Sequence, residues 1–166
     1  YAYYGGAVYA YYGSTFTAVN STFTHNSGVY GGGFYGWYVT TSFSHCNVWN
    51  NAPNDFYYID DPTGQDGNIS ENPMYLDMSS PDSLEWDLHL GIGSALIDSG
   101  HAAISDPDGS DSDIGSFGGA GAEFFDLDRD GYPSWWQPGS YNGILYPADG
   151  WDCDDLDPAV NADNGC

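Results

Sequence analysis

Gly5-Gly6-Ala7-Val8-Tyr9-Ala10-Tyr11-Tyr12 returns, 26 residues later, as Gly31-Gly32-Gly33-Phe34-Tyr35-Gly36-Trp37-Tyr38. The stretch that follows repeats too, since Ser21-Thr22-Phe23-Thr24-His25-Asn26 lies 25 residues before Cys46-Asn47-Val48-Trp49-Asn50-Asn51. A period in the twenties marks one small structural unit stacked on the next. Within each unit the runs are short, rich in Val, Thr, Phe and Tyr, and broken by Gly and Asn, which describes strands and turns rather than helices. The expected fold is all-β, a right-handed parallel β-helix or solenoid. In such a coil alternate side chains turn inward, and Val8, Phe16, Val19, Phe23, Phe34, Phe43 and Val48 are the expected inner stack. Asn at the bends tolerates left-handed backbone. Asn26 and Asn51, ending equivalent strands, are expected one above the other. A competing reading takes the Tyr-Gly alternation as low-complexity adhesive sequence, but the ordered second half of each repeat speaks against it.

Charge narrows the partners. The 166 residues carry 24 Asp and Glu against one basic residue, Arg129, for a formal charge of −23. Nothing is present to neutralise a nucleic acid or an anionic bilayer, so neither is an expected partner. Self-repulsion on this scale opposes compaction unless counter-ions bind, which favours a medium rich in divalent cations; an acidic surface serving solubility is the plainer reading. At 41% hydrophobic and 17% aromatic the chain is nevertheless built to pack. It has neither an initiator Met nor an apolar run long enough to cross a membrane, and it is expected to be a mature or trimmed piece that starts inside a repeat.

The acidic residues are not scattered evenly. Asp126-Leu127-Asp128-Arg129-Asp130-Gly131 places oxygen ligands at positions 1, 3 and 5 before a turn-forming glycine, the pattern that wraps a calcium ion. Position 7, Tyr132, offers its carbonyl. The bidentate Glu that an EF-hand sets at position 12 is replaced by Gln137, so closure falls to Asp152 and Asp155. The expected calcium ligands are thus Asp126, Asp128, Asp130, Tyr132, Asp152 and Asp155. Asp106, Asp108, Asp111 and Asp113 form a candidate second metal site without the strict spacing. Of the three cysteines, Cys153 and Cys166 enclose twelve residues, and a disulfide closing such a loop is worth roughly 3 kcal/mol in the chain-entropy model. Cys46 is left over and is expected to be a small buried hydrophobe.

Two resemblances cover nearly the whole chain. Gly5 to Tyr9, Asn20 to Asn26 and Gly31 to Tyr35 resemble coils of the pectin-lyase-like right-handed β-helices of secreted and outer-membrane bacterial proteins. Gly67 to Asp77, Asp87 to Leu90, Gly93 to Gly100 and Asp113 to Gly119 resemble that family's closing coils. From about Ala120 the sequence resembles the calcium-binding repeats of the thrombospondin type 3 kind in their bacterial version, Asp-x-Asp-x-Asp-Gly followed by Asp-x-x-Asp. Here an insert with Pro133, Trp135, Trp136, Pro138 and Tyr141 separates the two halves. The implied division is a β-helix with its closing segment over 1–119 and a small calcium-stabilised module over 120–166.

Enzymes exist among such β-helices. A lyase that removes a proton beside a carboxylate needs a basic group and cations for the sugar chain, yet this chain has no Lys. A hydrolase needs paired carboxylates. Asp55, Asp60, Asp61 and Asp66 crowd one loop with no visible pairing, while Asp98 and Asp113, among small residues, read as turn-shaping acceptors of backbone N–H bonds. The expectation is a non-catalytic secreted structural or cell-surface protein, extracellular, whose open coil edge invites head-to-tail self-association into a filament or stalk. The alternative is a carbohydrate-binding or polysaccharide-degrading protein. Tyr11, Tyr12, Trp37 and Tyr38, with Trp49, would then stack on sugars. The sequons Asn20-Ser21-Thr22 and Asn68-Ile69-Ser70 mark candidate glycan attachments, making the chain a glycoprotein.

Overall fold

The chain turns a corner wherever a residue takes left-handed backbone, and these corners recur at the repeat spacing. Gly5 and Gly31 have φ of 57° and 64°, Asn20 and His45 of 47° and 50°, His25 and Asn50 of 58° and 56°. Asn and His are among the side chains that enter this region at low cost, so two of the three corner pairs need no glycine. The computed structural model describes residues 2–91, 93–106 and 109–120. Among these, apart from one 3-10 turn at Ser83–Glu85, all regular structure is strand.

Between corners lie short strands, each paired in parallel with the strand one repeat later. β1 (Ala2–Tyr4) pairs with β5 (Gly28–Tyr30), β3 (Thr15–Val19) with β7 (Thr40–Ser44), and β4 (Thr22–Thr24) with β8 (Asn47–Trp49). β2 (Val8–Tyr11), β6 (Phe34–Trp37) and β9 (Phe56–Tyr57) form a three-stranded sheet. The registers follow the sequence echo: Val8 faces Phe34, 26 residues on, and Phe23 faces Val48, 25 residues on. The residue lost between them sits at one corner, where three residues separate Tyr11 from Thr15 but only two separate Trp37 from Thr40. Asn26 does lie against Asn51, its backbone N–H and its side-chain amide both donating to Asn51 Oδ1 at 2.9 Å.

Side chains from these sheets meet in one inner cluster. Phe34 and Phe43 are buried with Ala10, Ala18 and Cys46, and Val8, Phe16, Phe23 and Phe56 pack against them. The rings touch both between and within repeats, with centroids 5.0 Å apart for Phe16 and Phe34 and 5.5 Å for Phe34 and Phe43. Val48 is buried as expected, but Val19 faces solvent. A strand alternates faces with period two, so in β3 the inward positions are Phe16 and Ala18, and Val19 falls on the outer side.

Buried asparagines do what additional strands would otherwise do. Asn68 Oδ1 accepts the Cys46 N–H at 3.0 Å, and its amide nitrogen donates to the carbonyls of Phe43 at 2.9 Å and Gln65 at 2.8 Å. Asn47 exchanges two bonds with the Glu71 backbone at 2.9 and 3.0 Å.

Past Ile69 the parallel pattern changes. β10 (Tyr75–Asp77) pairs antiparallel with β11 (Asp87–Leu90). A second small core of Leu90, Leu96 and Ile114, flanked by Ile69 and Tyr75, forms there. This segment folds back onto the first turn: His101 N–H donates to Asn20 Oδ1 at 2.7 Å, the Asn20 amide to Ser112 Oγ at 2.5 Å, and Gly115 N–H to the Asn20 carbonyl at 3.0 Å. It is therefore a packed cover against the first repeat, and the parallel pairing of the earlier strands does not continue into it. Its sequence explains the difference, because Pro73 and Pro81 and the Asp-rich stretches break the run of alternating apolar residues a stacked strand needs.

Candidate functional site

The outer face of the β2–β6–β9 sheet is almost entirely aromatic. Inward positions in β2 and β6 hold Val8, Ala10, Phe34 and Gly36, so the alternate positions, Tyr9, Tyr11, Tyr35 and Trp37, point out. Because the strands are parallel and in register, Tyr9 stands beside Tyr35 and Tyr35 beside Tyr57. Around the Gly5 corner Tyr4 stands beside Tyr30.

Tyr35 is the hub of this face. Its ring centroid lies 4.8 Å from Tyr4, 5.3 Å from Tyr9, 5.5 Å from Tyr57 and 5.6 Å from Tyr58. Those neighbours leave Tyr35 only 7% exposed on an outward-facing position, while Tyr9 and Tyr58 keep 50% and 59% exposure. The contacts continue from Tyr58 to Trp37 at 4.6 Å, from Trp37 to Tyr38 at 5.4 Å and from Tyr38 to Tyr12 at 5.9 Å. Edge-to-face and offset ring pairs of this kind each contribute about 0.5–1.5 kcal/mol beyond the area they bury. The face is thus both a brace between turns and an exposed, hydroxyl-bearing surface.

Crowding also alters the phenols. Withdrawal from water by surrounding rings, with Tyr58 as the next contributor, pushes the Tyr35 and Tyr57 phenols above their ordinary value; for Tyr3 the neighbouring Tyr30 is the first cause. A phenol whose folded pKa is raised keeps its contribution below the unfolded value near 10 and loses it as pH climbs through the higher folded value. An alkaline titration followed by phenolate absorbance is expected to show a late-ionising group of tyrosines, with stability declining only above pH of about 10. Ionisation of all tyrosines together at the free value would contradict the packed face.

Of the five aromatics expected to stack on sugars, Tyr11, Tyr12, Trp37 and Tyr38 belong to this face. Trp49 is elsewhere, at the end of β8 and set edge-on against His25 at 5.2 Å. Tyr4, Tyr9, Tyr30, Tyr35, Tyr57 and Tyr58 belong to the face as well and are not among the expected five. The signal was available, since superposing the two echoes aligns Tyr9-Ala10-Tyr11 with Tyr35-Gly36-Trp37.

The carboxylates of the described region shape backbone. Asp55 Oδ1 accepts the Asn51 N–H at 3.0 Å and its side-chain amide at 2.7 Å, and Asp61 caps Thr63 N–H at 2.9 Å. Asp113 Oδ1 accepts the Asp98 N–H at 2.9 Å, the structural role expected of it, and Asp98 itself sits at a left-handed corner with φ 53°. In the candidate second metal site, Asp106 receives backbone N–H groups from Asp113 and Gly119 on its two oxygens, and Asp111 is exposed. Asp108 lies outside the described residues. Among the described residues no three His, Cys, Asp or Glu side chains gather in a metal-binding group. The expected calcium ligands Asp126, Asp128, Asp130, Tyr132, Asp152 and Asp155, and the Cys153–Cys166 bridge, likewise lie outside the described residues.

Cys46 is fully buried, its Sγ donating to the Ser44 carbonyl at 3.4 Å, and burial pushes its thiol pKa up. That is an inert thiol. Both sequon asparagines are committed inside the fold: Asn20 holds the cover segment and Asn68 bonds the carbonyls of Phe43 and Gln65, so a glycan on either nitrogen competes with these bonds. Comparison of the chain with known protein families, with curated proteins and with solved structures finds no match.

Proposed function

We propose that this chain is part of a secreted structural or cell-surface protein, a right-handed parallel β-helix closed by a calcium-stabilised C-terminal module, that acts as a scaffold without catalysis. The observation that carries the β-helix reading is the in-register parallel stacking of four successive strands on their repeats at offsets of 25 and 26. Stacked coils propagate along one axis and suit a filament or stalk, with head-to-tail contact between subunits. Calcium enters through the spacing of Asp126, Asp128, Asp130, Asp152 and Asp155, which otherwise crowd like charges in a chain of net charge −23.

Chelation tests both parts. A site held at a hundredfold its Kd stabilises by about 2.7 kcal/mol, so EDTA is expected to lower the melting temperature by about 5–10 °C for a chain of this size. Electron microscopy of the same samples is expected to show elongated assemblies with calcium and shortened or dispersed ones without. Unchanged assembly and unchanged melting would remove calcium from the account.

The tyrosine face supports a second reading, a carbohydrate-binding surface. Its rings and hydroxyls suit sugars, and the charge of −23 disfavours acidic ones. Co-sedimentation with an insoluble neutral polysaccharide, lost on replacing Tyr12 and Tyr38 by Ala, would favour it over the plain scaffold.

A further inference from the structure

The tyrosine face links three successive turns ring to ring beside their backbone pairing, and it does so in an order that chemistry can make covalent. Tyr35 of β6 contacts Tyr4 and Tyr9 of the preceding turn at 4.8 and 5.3 Å and Tyr57 of the following turn at 5.5 Å. The Tyr35 and Tyr57 planes are within 14° of parallel. Partners on the rim are open to solvent, Tyr4 at 42% and Tyr9 at 50% exposure. The one thiol among the described residues, Cys46, is shut inside the coils and cannot reach these rings as a reductant.

We propose that this face is an oxidative cross-linking site, at which one-electron oxidation couples Tyr35 to Tyr4, Tyr9 or Tyr57 as dityrosine and staples adjacent turns together. Each of two phenols gives up one electron and its O–H proton to become a phenoxyl radical. The two radicals form one C–C bond between carbons ortho to the oxygens, and the ring hydrogens at those carbons move to the oxygens, restoring two phenols. The pair as a whole loses two electrons and two protons. The oxidant is a peroxide acting through a haem peroxidase, one hydrogen peroxide being reduced to two waters. The rings are already in contact, so closing the bond takes side-chain rotation rather than movement of the paired backbone. Contact from ring to ring also lets a radical formed on exposed Tyr9 or Tyr58 reach the covered Tyr35.

The supply of oxidant rests on the extracellular reading, but the chemistry rests only on the face. The test treats the dilute, full-length folded chain with a haem peroxidase and hydrogen peroxide. Dityrosine fluorescence is followed, and the links are mapped by mass spectrometry after chymotryptic digestion. The expected result is links from Tyr35 to Tyr4, Tyr9 and Tyr57 as the main intramolecular products. Tyr35→Phe, which keeps the ring, should lower the intramolecular fluorescence several-fold with the circular dichroism spectrum unchanged. The same treatment in urea should scatter the links statistically. Links confined to sequence neighbours such as Tyr57 and Tyr58, links only between molecules, or full fluorescence in the folded Tyr35→Phe chain would overturn the proposal while leaving the stacked fold standing. A wild-type chain without β-sheet dichroism would instead overturn the fold on which the scaffold reading depends.

Discussion

Replacing Asn68 by Ala is expected to destabilise the chain by about 2–4 kcal/mol, because it takes the side-chain partner from a buried N–H and a buried carbonyl, while the Gln65 carbonyl keeps the Asn68 backbone N–H. Asn68 is 3% exposed. Its side chain satisfies the Cys46 N–H and the Phe43 carbonyl, the groups a further strand would otherwise engage, and holds the Gln65 carbonyl of its own loop. Water cannot easily replace these partners, and each stranded backbone group costs about 1–3 kcal/mol. Denaturant unfolding should show a lower midpoint at constant slope, since the surface exposed on unfolding is unchanged. Asn68→Asp provides a second reading. It can accept from Cys46 but cannot donate to Phe43 or Gln65, so it too should be destabilised. An Asn68→Ala chain as stable as the parent would mean that the backbone around Cys46 and Phe43 is held by something other than this residue.

Phe34→Ala is expected to cost about 3–5 kcal/mol, the range for emptying a packed aromatic site. Phe34 is 1% exposed and lies within 5.0 to 5.5 Å of Phe16 and Phe43, so its loss opens a cavity that three turns border. The strands on either side are fixed by backbone pairing to Val8 and Phe56 and cannot collapse inward. Phe34→Leu should recover a large part of the loss, because it refills most of the volume. A cost below about 1 kcal/mol for Phe34→Ala would place this ring at a loosely packed site and contradict the common core.

The echo in the sequence made the register legible. Two offsets, 26 and 25, predicted which strand pairs with which, and Asn26 against Asn51 followed from them. What the echo did not carry was face. Val19 belongs to the expected inner stack, but β3 alternates, and Phe16 and Ala18 take the inner side. The same rule, applied to Tyr9, Tyr11, Tyr35 and Trp37, puts all four on one face. The cover segment was less legible, because its stability comes from distant partners: Asn20 bonds to Ser112 and His101, roughly 90 and 80 residues away, and no local pattern encodes such contacts. For the calcium loop, sequence spacing alone carries the argument.

Successive repeats lie in register, each strand parallel to its echo. Thr17 and Ser42 are direct partners on the outer side of β3 and β7. Neighbouring strands are about 4.8 Å apart, within the about 4.4–6.8 Å that a disulfide spans between Cα atoms. Oxidation of a chain carrying Thr17→Cys and Ser42→Cys is therefore predicted to give a near-complete intramolecular bridge. The slipped pair Thr17→Cys and Thr40→Cys, a two-residue shift on the same face, is predicted to remain largely reduced. Equal bridging of both pairs, or preference for the slipped one, would contradict the parallel register of β3 and β7.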